Sequence, residues 1–148
     1  MRRSLTVPVR YEIDADAGLV VVHLSGLVTG AELFAYYAAL AADPAVRPGL
    51  AVLADCRDVT TGPSFTEMVA IANAKGLLPD DLRPTRAAVL VSRSLIFGIV
   101  RQFAALADRV GIRVMPFYES EEAHAWLGVH NKPTDCREVT TIRTRAAG

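Results

Sequence analysis

The chain has 148 residues, of which 51 % are hydrophobic and 22 % charged, and its 16 basic and 16 acidic side chains cancel. This length and composition are typical of one packed globular domain and exclude a disordered or fibrous chain. With zero net charge and no basic cluster interleaved with aromatic residues, the chain is not expected to bind nucleic acid.

The first part of the chain predicts a β-hairpin followed by a helix. Residues 9–25 have the alternating and β-branched patterns of two strands joined by a polar turn. Thr29 and Glu32 have the spacing of a capping box, and apolar residues recur at helical spacing from there to about Ala42. Asp43-Pro44 then ends the helix, because proline cannot donate the next backbone hydrogen bond.

A short apolar strand and a second helix come next. Residues 50–54 are apolar throughout, which is typical of a strand buried on both faces, and the strand is expected to end at Asp55. Residues 56–63 are predicted to form a loop. Ser64 and Glu67 form a second capping box and open a helix whose buried side carries apolar residues.

The pattern of strand and helix continues to Gly128. Residues 87–91 and 112–118 predict two further strands. Ser94 is expected to cap a helix that ends at Gly111, and Ser120 to cap a final helix that stops at Gly128.

The element order is therefore β-β-α-β-α-β-α-β-α. Because strand-helix-strand crossovers are right-handed, the later strands should be parallel in one sheet, with the hairpin adding an antiparallel edge. The predicted fold class is α/β, a single mixed and mostly parallel sheet of about five strands packed with four helices, over residues 1–128. Residues 129–148 form an extension: 139–143 has β character, 144–148 is expected to be frayed, and the tail lies along a sheet edge or swaps onto a partner.

This order, with a strand ending in Asp55 and a capped helix near Ser64, resembles the STAS domain of anti-sigma-factor antagonists. The stretches 97–103, 114–117 and 123–128 are similar to SpoIIAA-like proteins, which are also compared with SEC14 lipid-binding domains. The likeness covers roughly residues 9–128 and implies a SpoIIAA-like fold. It also implies a non-enzymatic binding or regulatory module that acts through a protein partner such as an anti-sigma-factor-like kinase.

The resemblance also points to a phosphorylation site. STAS regulators are phosphorylated on a Ser or Thr at the start of the helix after the third strand, and the matching residue is Ser64, with Thr66 as a second candidate. The family usually has Asp before this serine and Ser-Gly after it, whereas this chain has Pro63 and Phe65-Thr66. A phosphate would add about two negative charges to a docking surface. The alternative is that Ser64 and Glu67 only cap the helix.

A candidate ligand pocket lies at Asp55, Cys56, Arg57 and Asp58, where a parallel strand gives way to a loop and ligands of α/β sheets tend to bind. The alternative is that the two acids organise the turn and Arg57 is solvated. An enzyme that uses this loop is the least favoured hypothesis. Nothing in the sequence brings a histidine beside Cys56, and no nucleophile, base and orienting group have a recognisable spacing.

Two helices carry more large apolar side chains than one core-facing stripe requires: Phe34, Tyr36, Tyr37, Phe97, Ile99 and Phe103. They belong to the core, form a homodimer face, or line a cavity for a small apolar or lipid ligand. A SEC14-like carrier predicts a closed internal cavity between these helices and the sheet. Arg101, on the same helix as Phe97, is solvated or pairs with an anionic headgroup.

No cofactor or metal is expected, because His124 and His130 have no second ligand pair at metal spacing and the glycines are dispersed. Cys56 and Cys136 are expected to be free thiols in a reducing compartment, although a disulfide between them stays open. No apolar run approaches the roughly 20 residues that cross a bilayer. The basic start has no signal-peptide core behind it, so we expect a cytoplasmic protein with no integral membrane association.

Overall fold

The computed structural model describes residues 8–73, 84–109 and 111–128, and the backbone of 143–146. Within this part the elements follow the predicted order, with one strand added at the end. They are β1 (Val9–Asp14), β2 (Leu19–Leu27), α1 (Gly30–Ala42), β3 (Ala51–Thr61), α2 (Phe65–Asn73), β4 (Arg86–Leu90), α3 (Ser94–Asp108), β5 (Arg113–Phe117), α4 (Ser120–Leu127) and β6 (Arg143–Ala146).

The strands form one mixed sheet in the order β5-β4-β3-β2-β1-β6. Strands β2 to β5 run parallel to one another, whereas β1 is antiparallel to both β2 and β6. The predicted fold class is therefore confirmed.

The expectation of a frayed end is wrong for residues 144–146, which belong to β6. The outer edge of β1 offers unpaired backbone groups, and residues 143–146 pair with them. Residues 129–142 lie outside the described residues, and with them His130, Cys136 and the predicted β segment from Val139 to Ile142. Gly76 and Val110 also lie outside the described residues.

The helices cover the two faces of the sheet unequally. Side chains alternate between the faces along each strand. One face packs against α1, α2 and α3, and its core includes Val22, Val52, Val89, Tyr36 and Val100. The opposite face packs against α4, through a smaller core formed by Leu19, Val21, Leu53, Ala88, Leu90, Ala123 and Leu127.

Two of the four predicted helix caps are correct. Thr29 Oγ1 accepts a hydrogen bond from Glu32 N (3.3 Å), and Thr29 N donates to Glu32 Oε1 (2.8 Å). Ser64 and Glu67 make the equivalent pair. Ser94 and Ser120 are not caps, because the chain turns into each helix one residue earlier, at Arg93 and Glu119, without a side-chain capping bond.

Strand β3 is longer than predicted, since residues 56–61 continue the strand instead of forming a loop. Beyond Asp55, β4 no longer pairs with β3. Two side chains just before α3 replace the missing strand. Ser92 Oγ donates to the carbonyl oxygen of Arg57 (2.8 Å), and Arg93 donates to those of Val59 (3.1 Å) and Thr60 (3.0 Å). These tertiary bonds satisfy backbone groups that a sequence pattern leaves unassigned.

Candidate functional site

A cavity of about 200 Å³ lies between the sheet and helices α1, α2 and α3. Its strand side is built from alternate residues of β2 to β5, and small side chains at Ala54 and Ala87 leave room beneath the helices. The helices contribute larger side chains, among them Tyr36, Tyr37, Met68, Ile71, Ile96, Ile99, Val100 and Phe103. The cavity lies between the sheet and the helices that carry the excess apolar side chains, but it is partly open to solvent and not closed. A carrier function stays a prediction.

The cavity is almost wholly apolar. No Asp, Glu, Lys, Arg or His side chain lines it among the described residues. The side-chain groups there that can hydrogen-bond well are the hydroxyls of Tyr36 and Tyr37 and the thiol of Cys56. A charged molecule would thus lose its hydration without gaining a counter-ion.

Three tyrosines stand together at the α1 wall. The ring of Tyr36 meets that of Tyr11 edge-on at 5.8 Å and that of Tyr37 at 5.0 Å between centroids. Burial raises the pKa of Tyr36 well above its ordinary range and that of Tyr37 to about 12. Both phenols are neutral across the physiological pH range. Tyr11 donates a hydrogen bond to Asp43 Oδ2 (2.9 Å), which fixes the end of α1 to β1.

Cys56 is a cavity-lining thiol and not an activated nucleophile. Burial, and secondarily the charge of Asp55, raises the pKa of the Cys56 thiol to about 12. The reactive thiolate is therefore scarce at neutral pH.

The four residues of the predicted pocket at 55–58 do not share one cavity. Cys56 lines the apolar cavity, whereas Asp55 faces the other side of the sheet, where Arg57 binds its carboxylate at 2.9 and 2.7 Å. Burial by itself would raise the pKa of Asp55, but the hydrogen bonds and charge of Arg57 outweigh it and the pKa is lowered. Asp58 is exposed. The two acids do not organise a loop, because all four residues belong to β3.

The remaining predicted residues lie outside the cavity. Phe34 is half-buried, and Phe97 stacks on Tyr118 with ring centroids 5.0 Å apart, while Arg101 is exposed. Of the six aromatic and aliphatic residues singled out on the two helices, Tyr36, Tyr37, Ile99 and Phe103 line the cavity.

Ser64, Phe65 and Thr66 are exposed together at the start of α2. Ser64 Oγ accepts a hydrogen bond from Glu67 N (3.1 Å), and Glu67 Oε1 accepts one from Ser64 N (2.9 Å). The capping role is therefore present. Phosphorylation of Ser64 stays a prediction.

Glu12 was not singled out from the sequence, although the structure gives it an unusual environment. It is 5 % exposed on the sheet face opposite the cavity, and its Oε2 atom has no hydrogen-bond partner among the described residues. His23 Nε2 lies 3.8 Å from Glu12 Oε1. Burial raises the pKa of Glu12, although the charges of His23 and Arg10 oppose this. In the sequence, Glu12 stands between Tyr11 and Ile13 in a strand pattern. This pattern indicates only that the Glu12 side chain lies on the other face of the sheet.

In the part of the chain that the structure describes, no group of three His, Cys, Asp or Glu side chains is placed to hold a metal ion. None of the described helices combines the length and apolar character needed to cross a membrane.

The fold places the chain among SpoIIAA-like α/β structures. It is similar to a DUF3478 protein from Shewanella loihica PV-4, an uncharacterized protein whose crystal structure has a SpoIIAA-like fold. The TM-score is 0.52 and the sequence identity 17 %, over 86 % of this chain and 98 % of that one. This likeness shows a shared fold. No protein-family model matches the sequence, and no curated protein matches it.

Proposed function

We propose that the protein acts by binding, and that its ligand is a small, neutral, apolar molecule held in the cavity between the sheet and helices α1 to α3. The observation that carries this proposal is an almost wholly apolar cavity of about 200 Å³, partly open to solvent, between the sheet and three helices. Interiors of ordinary domains are close-packed, with few voids larger than a water molecule.

The volume limits the size of the ligand. An apolar cavity of about 150 Å³ accepts benzene, so one of about 200 Å³ suits a molecule slightly larger, such as indole. A whole phospholipid is too large for this space. Neutrality follows from the lining, because an unpaired charge in apolar surroundings costs several kcal/mol.

The first test asks whether the protein retains a ligand. Native mass spectrometry of the purified protein is compared with the mass under denaturing conditions, and an added mass that disappears on denaturation supports the proposal.

The second test uses indole as a probe. Indole should raise the thermal unfolding midpoint of the protein, since a ligand that binds only the folded state stabilises it. Ala54→Phe places a large side chain in the cavity and should abolish this response. Ala70→Phe makes the same change at an exposed α2 position outside the lining and should respond like the unmodified chain. An unmodified chain that does not respond to indole, or equal responses from the two variants, would contradict the proposal.

A second function has one observation of its own. Phe65 is 58 % exposed, between exposed Ser64 and Thr66 at a helix start. We propose that a protein partner docks on these three residues and that a negative charge at Ser64 controls docking. Ser64→Asp should alter the set of captured partners, Ser64→Ala should not, and Phe65→Ser should weaken capture. The same partners from all three variants would remove this function. The predicted homodimer is checked by sedimentation of the same samples.

A further inference from the structure

A single carboxylate joins the starts of α1 and α2. Glu67 Oε1 accepts a hydrogen bond from Ser64 N (2.9 Å), and Glu67 Oε2 accepts one from Gly30 N (3.0 Å). We call the bond to Gly30 the Glu67 bridge. Among the described residues it is the hydrogen bond that connects the two helices. Glu67 therefore both caps its own helix and holds its neighbour.

The Glu67 bridge lies beside the cavity. Val28 and Leu33, on the α1 side of the bridge, line the cavity, and so do Pro63 and Met68 on the α2 side. The ends of β2 and β3 are connected by a different hydrogen bond, which Val28 N donates to the carbonyl oxygen of Thr61 (2.9 Å). Loss of the bridge would therefore loosen the two helices over the cavity and leave the sheet intact.

Gly30 is fitted to this contact. A Cβ atom at Gly30 would lie 2.9 Å from Glu67 Oε2 and 3.1 Å from its Cβ and Cγ atoms. Any larger residue would push the carboxylate away from the Gly30 amide. The missing side chain is thus a second, independent sign that the two helix starts are held together closely.

We propose that the Glu67 bridge controls passage between solvent and the cavity, by holding the starts of α1 and α2 together over it. This inference rests on the proposed function of the cavity as a ligand site. When the bridge is intact, the starts of α1 and α2 stay together at this rim of the cavity. When it breaks, the helix starts separate and a small apolar molecule enters or leaves. Glu67 is a positioning residue, since it does not itself line the cavity.

Cys56 provides the measurement, because its side chain lines the cavity. In a Cys136→Ser background, the rate at which 4,4′-dithiodipyridine labels Cys56 reports how readily a small molecule reaches the cavity. Glu67→Gln keeps one acceptor oxygen for the hydrogen bond from Ser64 N. It loses the second oxygen, which accepts the hydrogen bond from Gly30 N. Gly30→Ala displaces the carboxylate by a different route. Each should speed labelling about threefold or more, as expected for a solvent-accessible charged hydrogen bond.

Glu32→Gln is the matched control. It makes the same chemical change in the capping box of α1, where the carboxylate bonds Thr29 and not α2. Labelling in Glu32→Gln should stay at the unmodified rate. Unchanged labelling in both Glu67→Gln and Gly30→Ala, or equal acceleration in Glu32→Gln, would overturn the role of the bridge.

Indole separates this inference from the proposed function. Indole bound in the cavity should slow Cys56 labelling. Protection by indole together with unchanged rates in the bridge variants would overturn the bridge alone. Faster labelling in those variants without protection by indole would instead overturn the ligand function, and the bridge would then control only the access of solvent.

Discussion

Replacing Glu12 by methionine should make the protein more stable. Glu12 is 5 % exposed and its Oε2 atom lacks a hydrogen-bond partner among the described residues. A buried group without a partner costs about 1–3 kcal/mol. The His23 side chain is 36 % exposed and lies 3.8 Å from Glu12, so this pair stabilises the protein by less than about 1 kcal/mol. Glu12→Met removes the unsatisfied oxygen at nearly constant volume, so the free energy of unfolding should rise by about 1 kcal/mol, or roughly 2–4 °C in Tm.

The gain should depend on pH with a definite sign. Burial raises the pKa of Glu12 above the ordinary value of 4.5, so the folded state binds this proton more tightly than the unfolded state. The unmodified chain therefore loses stability as pH rises from 4.5 through the raised pKa. Glu12→Met lacks this loss, and its advantage should be small below pH 4.5 and complete above the raised pKa.

Urea unfolding at a series of pH values, followed by circular dichroism, measures both effects. Glu12→Gln serves as the control, because it cannot titrate but still buries a polar group, and its stability relative to the unmodified chain should show the same pH trend. A Glu12→Met variant that is less stable than the unmodified chain at pH 7 would show that the carboxylate has a partner and refute this reasoning.

Four further predictions concern single residues. Tyr11→Phe removes the buried donor to Asp43 Oδ2 and should lower the free energy of unfolding by about 2 kcal/mol in urea denaturation; an unchanged midpoint would contradict it. Gly128→Ala should cost about 1 kcal/mol, because Gly128 has φ 78° at the end of α4. Gly98→Ala, in α3 with open space around the new Cβ, should instead be neutral or stabilising. With its pKa raised to about 12, Cys56 should be labelled at pH 8 more slowly than in urea-unfolded chain, and equal rates would contradict its burial.

The sequence could predict the helices and their order because their starts are local. Thr29 and Glu32, like Ser64 and Glu67, satisfy each other three residues apart, so the capping box is visible in the sequence. Ser94 and Ser120 show the limit of this reasoning. A serine near a helix start is compatible with two adjacent positions, and the path of the preceding strand decides between them.

The second half of β3 could not be predicted, because its stability comes from distant residues. Ser92 and Arg93 donate to carbonyl groups of β3 about 35 residues earlier in the chain. For β6 the sequence left two alternatives, a tail along a sheet edge or one swapped onto a partner, because the choice depends on the free edge of β1.

The cavity was predictable only as an excess of apolar side chains on two helices. Whether such side chains fill the core or leave a space depends on how far the helices stand from the sheet, which no local pattern specifies. The Glu67 bridge was likewise hidden, since a cap residue that also reaches Gly30 looks like any other cap in the sequence.

The cavity should receive a small neutral apolar molecule. Methyl spectra of protein labelled at Ile, Leu and Val, recorded during titration with indole, test it most directly, because the two cores lie on opposite faces of the sheet. We expect the methyl signals of Val52, Val89 and Ile96, which line the cavity, to shift. Those of Val21, Leu53 and Leu90, in the opposite core, should not shift. No shifts, or shifts spread equally over both cores, would contradict it.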